Sequence, residues 1–189
     1  MDTNVSIQAI SACIAGEEAA IERLISQHQS GVFRLALSVL NDPVEANEVA
    51  QDTFIAALAA LESYQHHSTF KAWLYTIALN ISRNRLRKRK TIERLNNTLQ
   101  AIFRVQIQKA PSPEETAIQN EKDAALWKAL KKLGEKQRIP IVLRYFHDLT
   151  SAEIAEILDI SEGTVHSRLH TGRERLRIEL EKQSEFTGA

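Results

Sequence analysis

Between Thr150 and Leu176 the chain reads TSAEIAEILDISEGTVHSRLHTGRERL, a stretch whose polar residues suit non-covalent recognition rather than bond-making. Thr150 with Glu153 three residues on is a capping box, in which two orphan backbone donors are satisfied reciprocally and a helix begins. Ile154, Ala155 and Leu158 share one face of that helix. Ile160, Val165 and Leu169 complete a small core with a second helix, which Ser161 caps. Ala155 sits where the two helices approach, and a larger side chain would part them. Asp159 holds the turn position that usually favours glycine, and Asp tolerates the left-handed conformation required there. The inward apolar set leaves Ser161, Glu162, His166, Ser167, His170 and Thr171 on the outer face. Arg168, Arg173, Arg175 and Arg177 lie among or just beyond them, where phosphates would run. Two helices so arranged form a helix-turn-helix, with the second helix shaped to lie in a DNA groove. An ordinary core hairpin would carry a Glu/Lys solvating face instead of this short hydrogen-bonding one.

A second set of such residues repeats along the helix expected from about Thr69 to Lys90. Asn80, Arg83, Asn84 and Arg87 recur at helical spacing, and the helix ends in Arg85-Leu86-Arg87-Lys88-Arg89-Lys90. Amides and guanidiniums in a stripe can follow a nucleic-acid backbone and meet base edges. A solvated face with a basic end that suits the helix dipole explains the same pattern equally well. The opposite face carries Phe70, Trp73, Leu74, Ile77, Ala78 and Ile81, which must meet a core.

Enzyme chemistry finds no foothold. There is no Gly-rich phosphate loop, nucleophile elbow or paired-carboxylate pocket, and the chain is not expected to be an enzyme. His166 and His170 stand four apart, but no Glu-bearing metalloprotease motif or Cys/His cluster accompanies them, so DNA-facing or solvated histidines are expected and no metal or cofactor. The one cysteine, Cys13, lies on an apolar stripe with Ile10 and Ile14 and reads as a buried thiol.

The elements that must position these residues are helices. The 189 residues are 43% hydrophobic, with six glycines, four prolines and no alternating strand pattern, which predicts an all-α protein. Helices are expected at about 4–14 and 17–40, then from the capping box Asp42-Pro43-Val44-Glu45 to about Leu61. The third helix buries Ala46, Ala50, Thr53, Phe54, Ala57, Leu58 and Leu61 and turns Glu45, Glu48 and Asp52 outward, with Asn47 and Gln51 beside them. A loop, Ser63-Tyr64-Gln65-His66-His67, leads to a cap at Ser68. The pattern loosens from about Thr91 to Ser112. Ser112-Pro113-Glu114-Glu115 then opens a helix that Gly134 stops, and a short helix about Lys136–Phe146 precedes the helix-turn-helix. Two small helical domains are therefore expected, at 1–92 and 113–185, joined by a flexible linker at 93–112.

The formal charge is zero but unevenly spread. Residues 1–82 carry −6, residues 83–109 carry +8 and residues 110–189 carry −2. An acidic front half that ends in a basic helix suggests two different partners, one of them nucleic acid. No signal peptide or apolar run near membrane-spanning length is read in the sequence, and the cytoplasm is the expected compartment.

Three segments, Pro43-Val-Glu-Ala-Asn-Glu-Val-Ala-Gln-Asp-Thr-Phe54, Phe70-Lys-Ala-Trp-Leu-Tyr-Thr-Ile-Ala-Leu-Asn80 and Gly163-Thr-Val-His-Ser-Arg-Leu169, resemble the hallmark segments of bacterial RNA polymerase sigma factors of the extracytoplasmic-function group. Their order and separations extend the resemblance over nearly the whole chain. It implies a promoter-specificity factor that binds core RNA polymerase, reads minus-35 and minus-10 promoter DNA and helps melt it. By resemblance, residues 1–92 are sigma region 2 and residues 113–185 sigma region 4. Glu45, Glu48, Gln51 and Asp52 would dock on the polymerase. Tyr64, His66, His67, Asn80 and Asn84 would hold an extruded minus-10 base, while Arg83, Arg87 and the basic tail hold phosphates. The linker would thread toward the RNA exit path. Ser161, His166, Ser167, Arg168, His170, Thr171 and Arg173 would meet the minus-35 element. The chain departs from the family pattern at His166 and Thr171, where the family usually has basic residues, and at Asn47 and Asn84, where it often has Asp. An anti-sigma factor is a partner that the resemblance admits. The competing reading is a free-standing dimeric helix-turn-helix regulator, which leaves the acidic face at 45–52 without a role.

Overall fold

The computed structural model describes residues 7–64, 68–103 and 121–187, with side chains described over 7–64, 68–95 and 125–182. Among the described residues, eight α-helices run in the order α1 (Ile7–Ile14), α2 (Glu18–Leu40), α3 (Pro43–Ala59), α4 (Phe70–Phe103), α5 (Glu121–Lys132), α6 (Glu135–Tyr145), α7 (Ser151–Leu158) and α8 (Glu162–Thr187), with a 3-10 turn at Leu61–Ser63. No strand occurs among the described residues. The all-helical expectation is borne out.

Caps set most of the boundaries. Asp42 accepts from the backbone N–H groups of Val44 and Glu45 at 2.9 and 3.0 Å, and Pro43 occupies the first turn of α3, where a missing donor does no harm. Glu45 does not complete the expected box. Its carboxylate is turned to Arg89 instead. Helix α4 is capped by Thr69 rather than Ser68, through Thr69 Oγ1 accepting from the Ala72 N–H at 3.2 Å. It then runs to Phe103, well past Lys90, so the first part of the expected loose segment is helix. The capping box expected at Ser112–Glu115 lies outside the described residues.

Helices α2, α3 and α4 pack together around Leu24, Val32, Leu35, Val39, Val49, Phe54, Leu74 and Ala78. Cys13 of α1 joins this core at 5% exposure, and burial, with Glu17 nearby, pushes its thiol pKa up. In the second half α8 crosses α5, α6 and α7. Gly172 makes that crossing close, because a Cβ there would stand 2.9 Å from Ile141 Cγ1. Buried Arg138 donates to the Lys131 and Leu133 carbonyls at 3.4 Å and so ties the end of α5 to α6.

The two halves are in contact. α2 packs on α6 and α4 on α7. Tyr75, Leu79 and Ser82 of α4, absent from the apolar stripe expected there, are buried as well.

Candidate nucleic-acid interface

The helix-turn-helix forms as its sequence dictates. Thr150 Oγ1 accepts from the Glu153 N–H at 3.2 Å, and Glu153 Oε2 accepts from the Thr150 N–H at 2.8 Å, closing the capping box. Asp159 ends α7 with φ +52°, the left-handed turn expected of it. Ser161 Oγ caps α8 by accepting from the Thr164 N–H at 3.2 Å. Ile154, Ala155, Leu158, Val165 and Leu169 are buried, and Ile160 is half-buried.

With that core turned inward, Ser161, Glu162, His166, Ser167, His170 and Arg173 are exposed. Arg168 and Thr171 are half-buried at the margin of this face. Further along α8, Arg177 is held by Glu174 and Glu181 at 3.5 and 3.0 Å, so it projects less free charge than its position alone suggests.

On α4, Asn80, Asn84 and Arg87 are exposed, with Arg87 donating to Asn84 Oδ1 at 3.4 Å. Arg83 is different. Its Nε lies 3.2 Å from Glu135 Oε1 of α6, so the residue expected on a phosphate is engaged with the other half of the chain.

Tyr64 requires a correction. It is 9% exposed, with its ring packed on Phe70 and Trp73 at centroid distances of 5.7 and 5.1 Å. Its hydroxyl donates to the Ser68 carbonyl at 2.6 Å. A ring so enclosed offers no free face for a base to stack on. An aromatic in a polar loop signals stacking only while its surroundings are unknown, and here α4 supplies them. Burial, with Glu156 nearby, pushes its hydroxyl pKa up. Tyr64 thus ties Ser68 to the aromatic cluster at the start of α4. His66 and His67 lie outside the described residues.

On α3, Glu45 is half-buried while Glu48, Gln51 and Asp52 are exposed along one face. The three carboxylates are paired: Arg85 bonds Glu48 and reaches Asp52 at 3.1 Å, and Arg89 lies 3.2 Å from Glu45. Arg89 also donates to the Leu40 carbonyl at 3.2 Å. The acidic face and the basic helix, separate in the sequence, are adjacent in space.

Sequence reasoning passed over the seam between the halves. Tyr75 Oη and His147 Nδ1 are 3.1 Å apart, Lys71 Nζ donates to the His147 carbonyl at 2.6 Å, and Thr69 Oγ1 donates to Glu153 Oε1 at 3.2 Å. His147 is buried, and desolvation with Lys71 and Arg34 nearby pulls its pKa down to about 3. His28, buried on Phe70 at 5.5 Å, is lowered by burial and by Lys71. Burial raises the Glu153 carboxyl, but hydrogen bonds from Thr150 and Thr69 and the charge of Lys71 more than offset it, so its pKa lies below the usual value.

These faces fall inside two regions that match known families. Residues 24–92 match Sigma-70 region 2, and residues 123–176 match Sigma-70, region 4. The chain is 31% identical over 170 residues to the ECF RNA polymerase sigma factor SigW of Bacillus subtilis, covering 87% of this chain and 91% of that one. The chain belongs to the extracytoplasmic-function sigma factors. It is also 31% identical to the RNA polymerase sigma-H factor of Pseudomonas aeruginosa, over 85% of this chain and 86% of that protein. Among solved structures, it resembles the sigma factor RpoE of Bartonella quintana in complex with the anti-sigma factor NepR, at 26% identity and a TM-score of 0.66, covering 85% of this chain and 96% of that one. CnrH in complex with the cytosolic domain of CnrY shares the fold at 24% identity and a TM-score of 0.67, over 96% and 99% of the two chains. This sigma factor is a promoter-specificity factor for transcription initiation, and the competing reading as a free-standing dimeric regulator is not favoured. No helix among the described residues is long and apolar enough to cross a membrane.

Proposed function

We propose that residues 1–92 bind core RNA polymerase and the minus-10 element and residues 113–185 read the minus-35 element, with 93–112 as the connection. The observation that carries this division is the pair of exposed polar faces, Asn80, Asn84 and Arg87 on α4 and Ser161, His166, Ser167, His170 and Arg173 on α8, one in each family region. The face on α8 meets base edges in the major groove, flanked by Arg168 and Thr171 toward phosphates. The face on α4 takes the minus-10 strand: Asn80 and Asn84 bond the edge of an extruded base, while Arg83 and Arg87 hold its backbone. Extrusion unstacks the base, which opposes opening by a few kcal/mol, so contacts made only to the open strand drive melting. Tyr64 acts beneath this site by holding Ser68, just before α4, in place.

Glu45, Glu48, Gln51 and Asp52 dock on a cationic surface of the polymerase, which exchanges partners with Arg85 and Arg89. The released arginines join the rest of the basic segment of α4 on DNA. The sigma factor makes and breaks no covalent bond, and it works in the cytoplasm with the polymerase. A similar solved sigma factor is held by an anti-sigma protein, which supports an inhibitor of this kind as a further partner. Run-off transcription with core polymerase on genomic fragments tests the reading. Discrete transcripts that require this protein are expected, and their absence on every fragment would overturn it.

A further inference from the structure

His166 and His170 stand four residues apart on α8, and both side chains are exposed on the face assigned to the minus-35 element. Neither imidazole has a hydrogen-bond or ion-pair partner among the described residues. At this spacing two side chains lie one above the other on a helix, with Cβ atoms roughly 5–6 Å apart, so their ring nitrogens can converge on one point in front of it. Two histidines so placed are the chelating pair of a metalloprotease helix.

The same face is short of positive charge for a surface that meets a polyanion. Ser161, Glu162, His166, Ser167 and His170 include a carboxylate and no lysine or arginine, Arg168 is half-buried at the margin, and Arg173 comes only at the far end. Guanine offers N7 and O6 as acceptors in the major groove, and a cationic side chain is the group that most often meets them. No exposed side chain on the first two turns of α8 carries a fixed positive charge. No group of three His, Cys, Asp or Glu among the described residues is placed to hold an ion, so Glu162, one turn before His166, does not complete a protein site. The pair supplies two nitrogens of the four ligands that a tetrahedral ion takes. The others must come from outside the chain.

We propose that His166 and His170 form half of a metal site that promoter DNA completes: the two imidazoles chelate a divalent cation of the zinc, nickel or copper class, and guanine N7 in the minus-35 major groove takes a further position. Imidazole nitrogen suits these ions, and N7 is an aromatic nitrogen of the same kind. Water fills what remains. The ion supplies the positive charge that the face lacks, at the point where it meets base edges. Ion and DNA each raise the affinity for the other by one common factor, so the promoter contact responds to the metal. The DNA half of this inference rests on the promoter reading above.

The test begins with the full-length protein alone, titrated with Ni²⁺ by calorimetry and loaded with Cu²⁺ for electron paramagnetic resonance. The wild type should bind one ion that His166→Gln and His170→Gln both lose, with nitrogen hyperfine structure from two imidazoles. Helicity should be unchanged, because both positions are exposed. Holoenzyme made with each protein is then bound to a promoter fragment that yields a run-off transcript, with and without Zn²⁺ at constant Mg²⁺. Wild-type affinity should rise at least fivefold with the ion, the lower end of the ordinary coupling between two sites of about 5–150-fold. Both Gln variants, and 7-deazaguanine across the minus-35 element, should remove the rise. His166→Lys, which carries a fixed charge, should not respond. Absence of the histidine-dependent ion from the free protein, or ion binding with no effect on DNA affinity, would overturn the proposal, and a rise that survives 7-deazaguanine would overturn the contact to the base. Run-off transcripts absent from every fragment, with the histidine-dependent ion still bound, would overturn the promoter reading and leave the chelate standing.

Discussion

Arg89 lies 3.2 Å from Glu45, so the basic segment of α4 lies against the first turn of α3. Arg85, one helical turn earlier, joins Glu48 to Asp52 in the same way. The acidic stripe is thus neutralised by the arginines that follow it in the chain, and any partner that takes the carboxylates must compete with them.

Glu48→Gln with Asp52→Asn should therefore weaken co-purification with core polymerase while reducing stability by less than about 1 kcal/mol, because half-exposed ion pairs contribute little. Arg85→Gln should do the opposite and strengthen polymerase binding by freeing both carboxylates. Titration of labelled core polymerase, with thermal unfolding in parallel, separates the two effects. If Arg85→Gln weakens binding, the arginine itself belongs to the docking face.

Tyr64→Phe keeps the ring between Phe70 and Trp73 and removes the bond to the Ser68 carbonyl, so a loss of about 1 kcal/mol is expected. Tyr64→Ala empties an aromatic core position and should destabilise by roughly 3–5 kcal/mol. With Ser68 released, Tyr64→Phe should bind polymerase normally but open promoters less well, with rescue on a template already mismatched at minus 10. Permanganate reactivity reads the opening. Normal opening in Tyr64→Phe would show that the bond from its hydroxyl to Ser68 plays no part in opening.

Acidification should loosen the protein through His147. The unfolded residue takes a proton near its ordinary pKa of 6.5, whereas the folded one resists until about 3. Below pH 6.5 the unfolded state binds the extra proton, so the contribution is complete above that pH and is lost as pH falls toward 3. Between pH 7 and pH 5 the loss should be about 2 kcal/mol, and lowered His28 adds in the same direction. Urea midpoints across this range should fall for the wild type and flatten for His147→Gln. An equal slope in that variant would assign the effect to other groups.

Asp159 holds a left-handed turn at φ +52°, which a β-branched residue adopts poorly. Asp159→Val should destabilise by about 1–2 kcal/mol, whereas Asp159→Gly should stay within about 1 kcal/mol of the wild type. Chemical denaturation followed by Trp127 fluorescence compares them. Equal stability of the two variants would mean that the turn relaxes without strain.

On the recognition face, His166 is exposed where the family usually carries a basic residue. His166→Lys should tighten binding to minus-35 duplex and steepen the salt dependence by about one phosphate contact, through release of one more counterion. An unaltered slope would place His166 away from the DNA backbone.

The sequence by itself determined the helices, most of their caps and the helix-turn-helix. The Thr150 and Glu153 box, the Asp42 cap and the turn at Asp159 each depend on residues a few positions apart, and an amphipathic stripe records which face is buried. Local chemistry of that range survives in the sequence whatever the rest of the chain does. Tertiary structure decided the remainder: that Tyr64 is buried against Phe70 and Trp73 rather than exposed, that Arg85 and Arg89 cover the acidic stripe, and that Tyr75 is buried on a second face of α4. Tyr75 and His147 are 72 positions apart, and neither has a periodic or capping signature that points to the other. Their pairing depends on how two already formed helical units dock, which follows from shape and burial summed over many residues and from no motif in either one.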